Sequence, residues 1–406
     1  MTNTTLLDEQ TIRIVKSTVP VLEAHGKKIT KHFYQRLFEN HPDLKSIFNQ
    51  SNQRKGKQPE ALANAVYAAA ANIDNLEAIL PAVKQIGHKH RSLNIQPEHY
   101  PIVGENLLKA IKEVLGDAAT EEIINAWAKA YEVIADVFIS VEKEMYNETM
   151  QIAGNWIGYR DFRVMNKVKE SEVITSFYLK PEDGGMLPNY QPGQYTTVKV
   201  NIPGIPYTCQ RHYSLSSKPN SEFLRISVKR EDGVGDNPDG IVSTFLHEQV
   251  QIGDTLSLSA PAGFFVIDNS DKPLVLLSGG VGLTPLASML EYAVEQQPTR
   301  EVYFIHADQN ENAHAFDDMV KEISNRHKQV HYFKVYENTE QPELCDKTGY
   351  IDLPWLQSIL PTNDASFYFC GPEGFMRAIY QSLILWDVQA ESIHYEFFGP
   401  QGTLEN

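Results

Sequence analysis

Three groups of residues in this 406-residue chain combine types and spacings that could do chemistry. The first is the histidine pair in IGHKHRS. Ile79, Val83, Ile86 and His90 follow one another at spacings of four, three and four, so a helix over this stretch turns His90 inward among apolar side chains. His88, stacked over Lys84, faces outward. An inward histidine is either a core residue satisfied by a backbone carbonyl or a metal ligand, and a ligand histidine needs a partner that orients it and raises its basicity. Tyr34 on an apolar helix face, Phe48 after a proline-containing turn, and a carboxylate on the last helix of the first segment shift the balance toward the ligand. An inward carboxylate is costly unless paired. Glu142 and Glu144 are two residues apart and cannot share a helix face; Glu144 is expected to be the inward one.

The second group is Arg211-His212-Tyr213-Ser214, at the end of a predicted strand. Arginine can clamp a pyrophosphate, tyrosine can stack on a flat ring and serine can hydrogen-bond a ring nitrogen, although four residues also occur in an ordinary strand. The third is Gly279-Gly280-Val281-Gly282-Leu283-Thr284-Pro285, after the apolar run LVLLS and at the start of a helix. Glycines admit a phosphate close to the backbone and a helix N-terminus attracts the anion. Thr284 is the expected N-cap, with Pro285 in the first turn. The alternative is a purely structural turn, but Cys370-Gly371-Pro372-Glu373-Gly374-Phe375-Met376 repeats the strand–loop–helix logic.

Three kinds of element must position these groups. Residues 1–150 hold only five of the 24 glycines, which marks them as helical. Ile123, Trp127, Tyr131, Ile134, Phe138, Val141 and Met145 form one stripe of a long amphipathic helix. From about residue 158 the pattern has period two, with Leu224, Ile226 and Val228 opposed to Arg225, Ser227 and Lys229; an antiparallel β-barrel fits. From residue 273 short continuous apolar runs (LVLLS, VYFIH, FYFC) alternate with helical stretches, which predicts a doubly wound α/β domain. The expected fold is therefore multidomain: an all-α domain over 1–147, a β-barrel over 158–268 and an α/β domain over 273–406.

The stretches HFYQRLF, LKSIFNQSNQRKGKQPEAL, PAVKQIGHKHRSLNIQPEHYPIVGE and AWAKAYEVIADVFISVEKEMYNE make residues 1–146 resemble the globin part of a bacterial flavohemoglobin. YQPGQY, RHYS and GIVSTFLH, in that order, resemble the flavin domain of the ferredoxin–NADP reductase superfamily. GGVGLTP, CGPEGFM and HYEFFGP resemble its nicotinamide side, with Phe397 standing where members often have cysteine. The resemblance implies haem b, FAD and NADH or NADPH. His90 would be the iron ligand, with Tyr100 and Glu144 hydrogen-bonding around it. Tyr34 would donate to dioxygen on the distal side, which Phe48, Gln58 and Leu62 would line. Tyr195, Arg211, His212, Tyr213, Ser214, Val242, Ser243, Thr244, Phe397, Phe398, Gly399 and Pro400 would surround FAD. Gly279, Gly280, Val281, Gly282, Leu283, Thr284, Pro285, Cys370, Gly371 and Pro372 would take the dinucleotide. Lys89 and Glu396 would tune the redox potentials. The implied reaction is nitric oxide dioxygenation: NAD(P)H reduces FAD, FAD re-reduces haem, and NO and O₂ become nitrate.

Two other functions stay open, a haem-based gas sensor or carrier and a flavin reductase with another acceptor. The charge of −16, from 36 Lys plus Arg against 52 Asp plus Glu, argues against nucleic acid and anionic membrane surfaces as partners. Three cysteines without metal-ligand spacing point to a reducing compartment and exclude an iron–sulfur relay. No apolar signal core opens the chain, and Gly279, Gly280, Gly282 and Pro285 break up its longest uncharged run, so a cytoplasmic monomer is expected. The resemblance leaves room for a lipid in the distal pocket. Finally, VYFIH ends at Asp308, where a carboxylate either accepts from a ribose 2′-hydroxyl, favouring NADH, or merely begins a solvated loop.

Overall fold

The glycine-poor first segment folds into helices in the computed structural model, which describes residues 7–49, 53, 56–233, 235, 238–399 and 404. They run Glu9–Ser17, Val19–Asn40, Lys57–Ala71, Leu80–Ser92, His99–Leu115 and Glu121–Gln151. Local chemistry sets their starts. The Asp8 carboxylate accepts from Thr11 N at 2.8 Å, and prolines occupy the first turn of Val19–Asn40 and of Leu80–Ser92, where a missing N–H costs nothing. Their apolar faces converge on Val15, Ile29, Phe33, Leu37, Leu107, Ile111 and Trp127. Each such side chain contributes roughly 1.5–3 kcal/mol by leaving water. The last helix runs to Gln151, four residues beyond the expected domain limit. No described helix is long and apolar enough to cross a membrane.

The chain divides into two compact units, residues 1–151 with 156–158 and 201–210, and the remainder. The second begins with six antiparallel strands: β1 (Tyr159–Lys169), β2 (Ile174–Pro181), β3 (Tyr195–Val200), β4 (Cys209–Ser214), β5 (Leu224–Lys229) and β6 (Thr255–Ser259), in the order β4-β3-β6-β1-β2-β5. A bridge between Leu215 and Ile226 joins the end of β4 to β5, so the two edge strands meet and the sheet closes into a barrel. The helix Ile241–Glu248 follows β5, and the Lys167 ammonium donates to the carbonyls of Leu246 and Val250 at its C-terminal end.

The α/β part is a parallel sheet of β7 (Leu274–Gly279), β8 (Val302–Asp308), β9 (Val330–Tyr336), β10 (Lys347–Thr348), β11 (Ser366–Cys370) and β12 (Ile393–Tyr395), ordered β10-β9-β8-β7-β11-β12. Alternate residues of the central strands enter different cores. Leu274, Leu276 and Phe304 pack on one face with the helices Leu283–Gln296 and Asp317–Arg326. Val275, Leu277, Ile305, Phe367 and Phe369 pack on the other with Leu353–Ile359 and Glu373–Leu385. Burial on both faces explains why these strands read as continuous apolar runs.

The period-two pattern of β5 identified a strand but not what its polar face meets. Arg225 and Ser227 are buried, at 7% and 3% exposure, because this face packs against the α/β part. The Arg225 guanidinium donates to Glu291 Oε1 at 2.9 Å and to the Ser216 carbonyl, and lies over the Phe316 ring. A buried ion pair is dear to break, since removing one partner strands the other charge. Glu291→Ala should therefore lower stability by about 2–4 kcal/mol, while Glu295→Ala, whose exposed carboxylate meets Lys218, changes it by less than about 1. Chemical denaturation of the two variants checks this; equal midpoints would show that the Arg225 pair carries no such load.

Candidate functional site

The helix Leu80–Ser92 presents His90 to the helix Glu121–Gln151. Gly87, one turn before His90, lets the two helices close: a Cβ there would lie 3.0 Å from Met145 Sδ and 3.8 Å from Glu142 Cγ. This approach brings the Glu142 carboxylate to 2.6 Å from His90 Nδ1. The Tyr100 hydroxyl donates to the same oxygen, Glu142 Oε1, at 2.6 Å and lies 3.3 Å from Nδ1. Tyr100 is itself held by Tyr131, whose hydroxyl donates to the Tyr100 carbonyl at 2.7 Å and whose ring lies where a side chain at Gly104 would stand. Burial and then the Glu142 charge push the Tyr100 phenol well above its usual pKa, so it remains a donor.

The carboxylate is Glu142 and not Glu144, which is exposed. The physical reason is the helix period. Phe138, Glu142 and Met145 are spaced by four and three, so Glu142 falls within the apolar stripe, and Glu144 falls off it. That spacing was the signal by which the sequence could have chosen correctly. His88 is also less outward than expected: it is half-buried, and burial, with help from the Arg91 charge, pushes its pKa down to about 4. Lys89 precedes His90, and its carbonyl accepts from Ser92 Oγ.

Tyr34 is buried at 6% exposure, with the Phe48 ring edge-on at 5.4 Å. Leu62 packs at the margin of the same core. Gln53 and Gln58 stand beside the Tyr34 hydroxyl, and burial holds that phenol above its ordinary pKa. The place of Gln53 beside Tyr34 was invisible in sequence, because the residues before Lys57–Ala71 show no apolar periodicity. Gln58 Oε1 and Gln53 Nε2 are buried and lack hydrogen-bond partners among the described residues. Polar atoms of this kind suit a pocket that takes a polar ligand. His90 Nδ1 is committed to Glu142, so Nε2 is the nitrogen able to ligate a metal. The donor set fits haem.

In the barrel, alternation along β4 splits the predicted flavin residues. Arg211 and Tyr213 lie on one face. His212 is on the other, with its ring 4.9 Å from Tyr195 and Nδ1 2.8 Å from Thr197 Oγ1. Ser214 is buried. Gly240 leads into the helix Ile241–Glu248, where Val242 is a core residue and Ser243 Oγ donates to the Gly240 carbonyl at 2.9 Å. Thr244 Oγ1 is buried with no partner among the described residues, in the first turn where a phosphate oxygen could accept from it. Phe397 packs 5.7 Å from Tyr395, while Phe398 is half exposed. Gly399 follows Phe398, and Pro400 lies outside the described residues.

The two glycine motifs of the α/β part meet, because β7 and β11 are neighbours. A Cβ on Gly282 would lie 2.0 Å from the Cys370 carbonyl oxygen, and one on Gly279 would lie 3.1 Å from Pro372 and 3.0 Å from the Phe375 ring. Gly371 faces Gly279 in turn. Gly280 has φ +51° and an open Cβ position, so its backbone is accessible. The helix starts at Leu283, with Gly282 as its N-cap; Thr284 is already inside it and donates to the Val281 carbonyl at 3.0 Å. The expected Thr284 cap is thus replaced, because the short turn Gly280–Gly282, with Val281 at its centre, winds directly into the helix, where Leu283 and Pro285 follow. The Cys370 thiol, raised by burial and by the Glu396 charge, lies 3.3 Å from the Glu396 carbonyl. Strand order reverses between β7 and β11, which is where doubly wound domains take their ligands.

Comparison with known proteins agrees with this division. The globin family model matches residues 31–138, the oxidoreductase FAD-binding domain 161–267 and the oxidoreductase NAD-binding domain 276–381. The chain is 58% identical over 402 residues to the flavohemoprotein of Oceanobacillus iheyensis, with 98% of both chains covered. The chain belongs to the flavohemoprotein family. It is also 52% identical to the Bacillus subtilis flavohemoprotein, covering 98% of this chain and 99% of that one. The crystal structure of Malassezia yamatoensis flavohemoglobin with bound FAD and haem aligns over 97% of this chain and all of that one, at 25% identity and a TM-score of 0.83. The FAD/NAD-binding domain of Vibrio cholerae nitric oxide dioxygenase aligns over 59% of this chain and 99% of that one, at 38% identity and a TM-score of 0.56. Like other flavohemoproteins this chain is an oxidoreductase, with haem, FAD and a nicotinamide dinucleotide as the cofactors of its three domains.

The Glu142 assignment is testable by spectroscopy. In Glu142→Gln the iron–histidine stretching frequency should fall, because the imidazole loses the charge that makes it a strong donor. Glu144→Gln should match wild type. Resonance Raman spectra of the reduced proteins decide it; a shift confined to Glu144→Gln would refute the assignment.

Proposed function

We propose that this flavohemoprotein is a nitric oxide dioxygenase, converting NO and O₂ to nitrate at the expense of NAD(P)H, and that it serves NO detoxification. The observation that carries this reading is the hydrogen-bonded set His90–Glu142–Tyr100 in a chain that also carries its own flavin and nicotinamide reductase. A sensor or carrier need not be re-reduced in every cycle. When bound, the cofactors supply a hydride from NAD(P)H, its division into single electrons by FAD, and activation of O₂ toward NO by haem.

The chain's own residues shape that chemistry. Glu142 accepts from His90 Nδ1 and builds negative charge on the imidazole, which strengthens Nε2 as a ligand. Tyr100 fixes the carboxylate through a second hydrogen bond, so its orientation is set before any ligand arrives. Tyr34, kept protonated by burial, offers its hydroxyl as a donor on the distal side, with Gln53 and Gln58 beside it. Cys370 and Glu396 stand together at the nicotinamide side of the α/β part. Lys89 and Glu396 are assigned to redox tuning. Asp308 at the end of β8 would accept from a ribose 2′-hydroxyl and repel a 2′-phosphate. Unit charges about 4 Å apart cost roughly 4 kcal/mol near a protein surface, so NADH is the preferred reductant.

The test of the function is stoichiometry. NO, O₂ and NADH should disappear together with nitrate as product; haem without NO turnover would indicate a sensor or carrier, and NADH oxidation indifferent to NO a reductase with another acceptor. Within that activity, Tyr34→Phe removes one donor worth about 1–3 kcal/mol. O₂ dissociation should speed by about tenfold or more, and carbon monoxide dissociation should respond less. Equal changes for the two gases in stopped-flow measurements would mean a steric role for Tyr34.

His90→Ala should lose haem and keep FAD together with reductase activity toward ferricyanide. A haem-replete variant with an unchanged absorption spectrum would remove His90 as the ligand.

A further inference from the structure

The C-terminal end of β8 carries a buried group of titratable side chains that the reaction above does not use. His306 is wholly buried. Its Nδ1 lies 2.7 Å from Ser278 Oγ, on the residue that precedes the glycine motif of β7. Its Nε2 is buried, lies 3.4 Å from Asp308 Oδ2, and makes no aligned hydrogen bond among the described residues. Strand register produces this placement. Ser278 pairs with His306 and Gly279 with Ala307, and His306 and Asp308, two residues apart on one strand, point to the same face.

The surrounding groups leave Asp308 as the partner of Nε2. His314 packs its ring 4.3 Å from that of His306, but its own nitrogens are taken by Tyr336 Oη at 2.7 Å and Tyr332 Oη at 2.9 Å. Burial holds His314 well below its usual pKa, so it stays neutral. Tyr332 donates to Asp317, and Lys321 and Lys334 both reach the other oxygen of Asp317, at 2.6 and 3.6 Å. The lysine charge beside this group is therefore directed to Asp317. The tautomer of His306 follows by elimination. A lone pair on Nε2 would face a carboxylate 3.4 Å away, which is repulsive, so the proton sits on Nε2, on the side of Asp308, and Nδ1 accepts from the Ser278 hydroxyl, whose other acceptor in reach is the Ile305 carbonyl at 3.4 Å. Asp308 Oδ1 accepts from Gln309 N at 2.8 Å, so the carboxylate is held from both sides.

We propose that His306 is a positioning residue for dinucleotide selection: its Nε2–H edge, 3.4 Å from Asp308 Oδ2, electrostatically holds that carboxylate at the end of β8 so that it accepts from the 2′-hydroxyl of an adenosine ribose, favouring NADH over NADPH. The proposal rests on the reading that Asp308 faces the ribose. Through Ser278 the same imidazole is tied to the strand that carries Gly279 and Gly280. The phosphate-binding turn and the ribose-reading carboxylate thereby form one rigid unit, and a dinucleotide must satisfy both at a fixed separation.

The experiment is a double-mutant cycle on the holoenzyme, with KM and kcat for NADH and for NADPH measured by ferricyanide reduction. His306→Leu should raise the NADH KM about fivefold, with the change in KM rather than kcat and little change for NADPH. Placed on Asp308→Asn it should add nothing, since the group it orients is gone. His306→Gln, whose amide can donate from nearly the same place, should recover part of the loss. Equal rises for both dinucleotides, or the same rise on the Asp308→Asn background, would make His306 an ordinary core residue and overturn the proposal. If Asp308→Asn alone leaves the NADH-to-NADPH ratio unchanged, the ribose reading has failed and the proposal falls with it. If His306→Leu does not fold, Ser278→Ala carries the test: it should reduce NADH preference about twofold, and an unchanged ratio overturns the role of the Ser278–His306–Asp308 chain.

Discussion

The globin part is organised around a buried carboxylate. Glu142 is only 4% exposed, and a carboxylate so placed costs several kcal/mol unless it is paired and hydrogen-bonded. His90 and Tyr100 supply those bonds, so the requirement of Glu142 for partners fixes the orientation of both side chains. The requirement spreads outward. Gly87 must lack a side chain for the helices to approach, Gly104 must lack one for the Tyr131 ring, and Tyr131 must hold the backbone of Tyr100. The surrounding apolar packing excludes the water that would otherwise solvate the charge.

A different constraint governs the α/β part, where backbone must approach backbone. Gly282 lies against the Cys370 carbonyl and Gly371 against Gly279, so the two glycine turns are packed into each other and neither Gly282 nor Gly371 tolerates a side chain. The same strand ends carry the polar chain from Ser278 through His306 to Asp308. Sub-ångström steric limits and a few directed hydrogen bonds thus act on adjacent residues. Rigid strands supply the precision that a loop alone would lack.

The barrel shows how packing alters the meaning of a pattern. Along β5 a polar face ordinarily means solvent, yet Arg225 and Ser227 are covered. The cost is met by a full set of partners, with Glu291 and the Ser216 carbonyl on Arg225 and the Ser176 and Ser216 hydroxyls on Ser227. Polar residues at the junction of two layers specify how the layers mate, because only one arrangement pairs every group.

Sequence by itself determined the kinds of element and their order, and it singled out candidate residues for the chemistry. The reason is that periods of 3.6 and 2, glycine-rich turns and the flanking of His90 by apolar residues are local properties of the chain. The choice between Glu142 and Glu144 was also local and could have been made from the spacing of Phe138 and Met145. Other features belonged to the tertiary structure alone. Gln53 comes beside Tyr34 from a stretch whose sequence is aperiodic. Thr284 lost its capping role to a turn that winds directly into the helix. His306 read as the last residue of an apolar run until the register of β7 against β8 set it between Ser278 and Asp308. Each depends on groups distant in the chain coming within hydrogen-bonding distance, and strand register and helix approach, which fix those distances to tenths of an ångström, are properties of the packed whole.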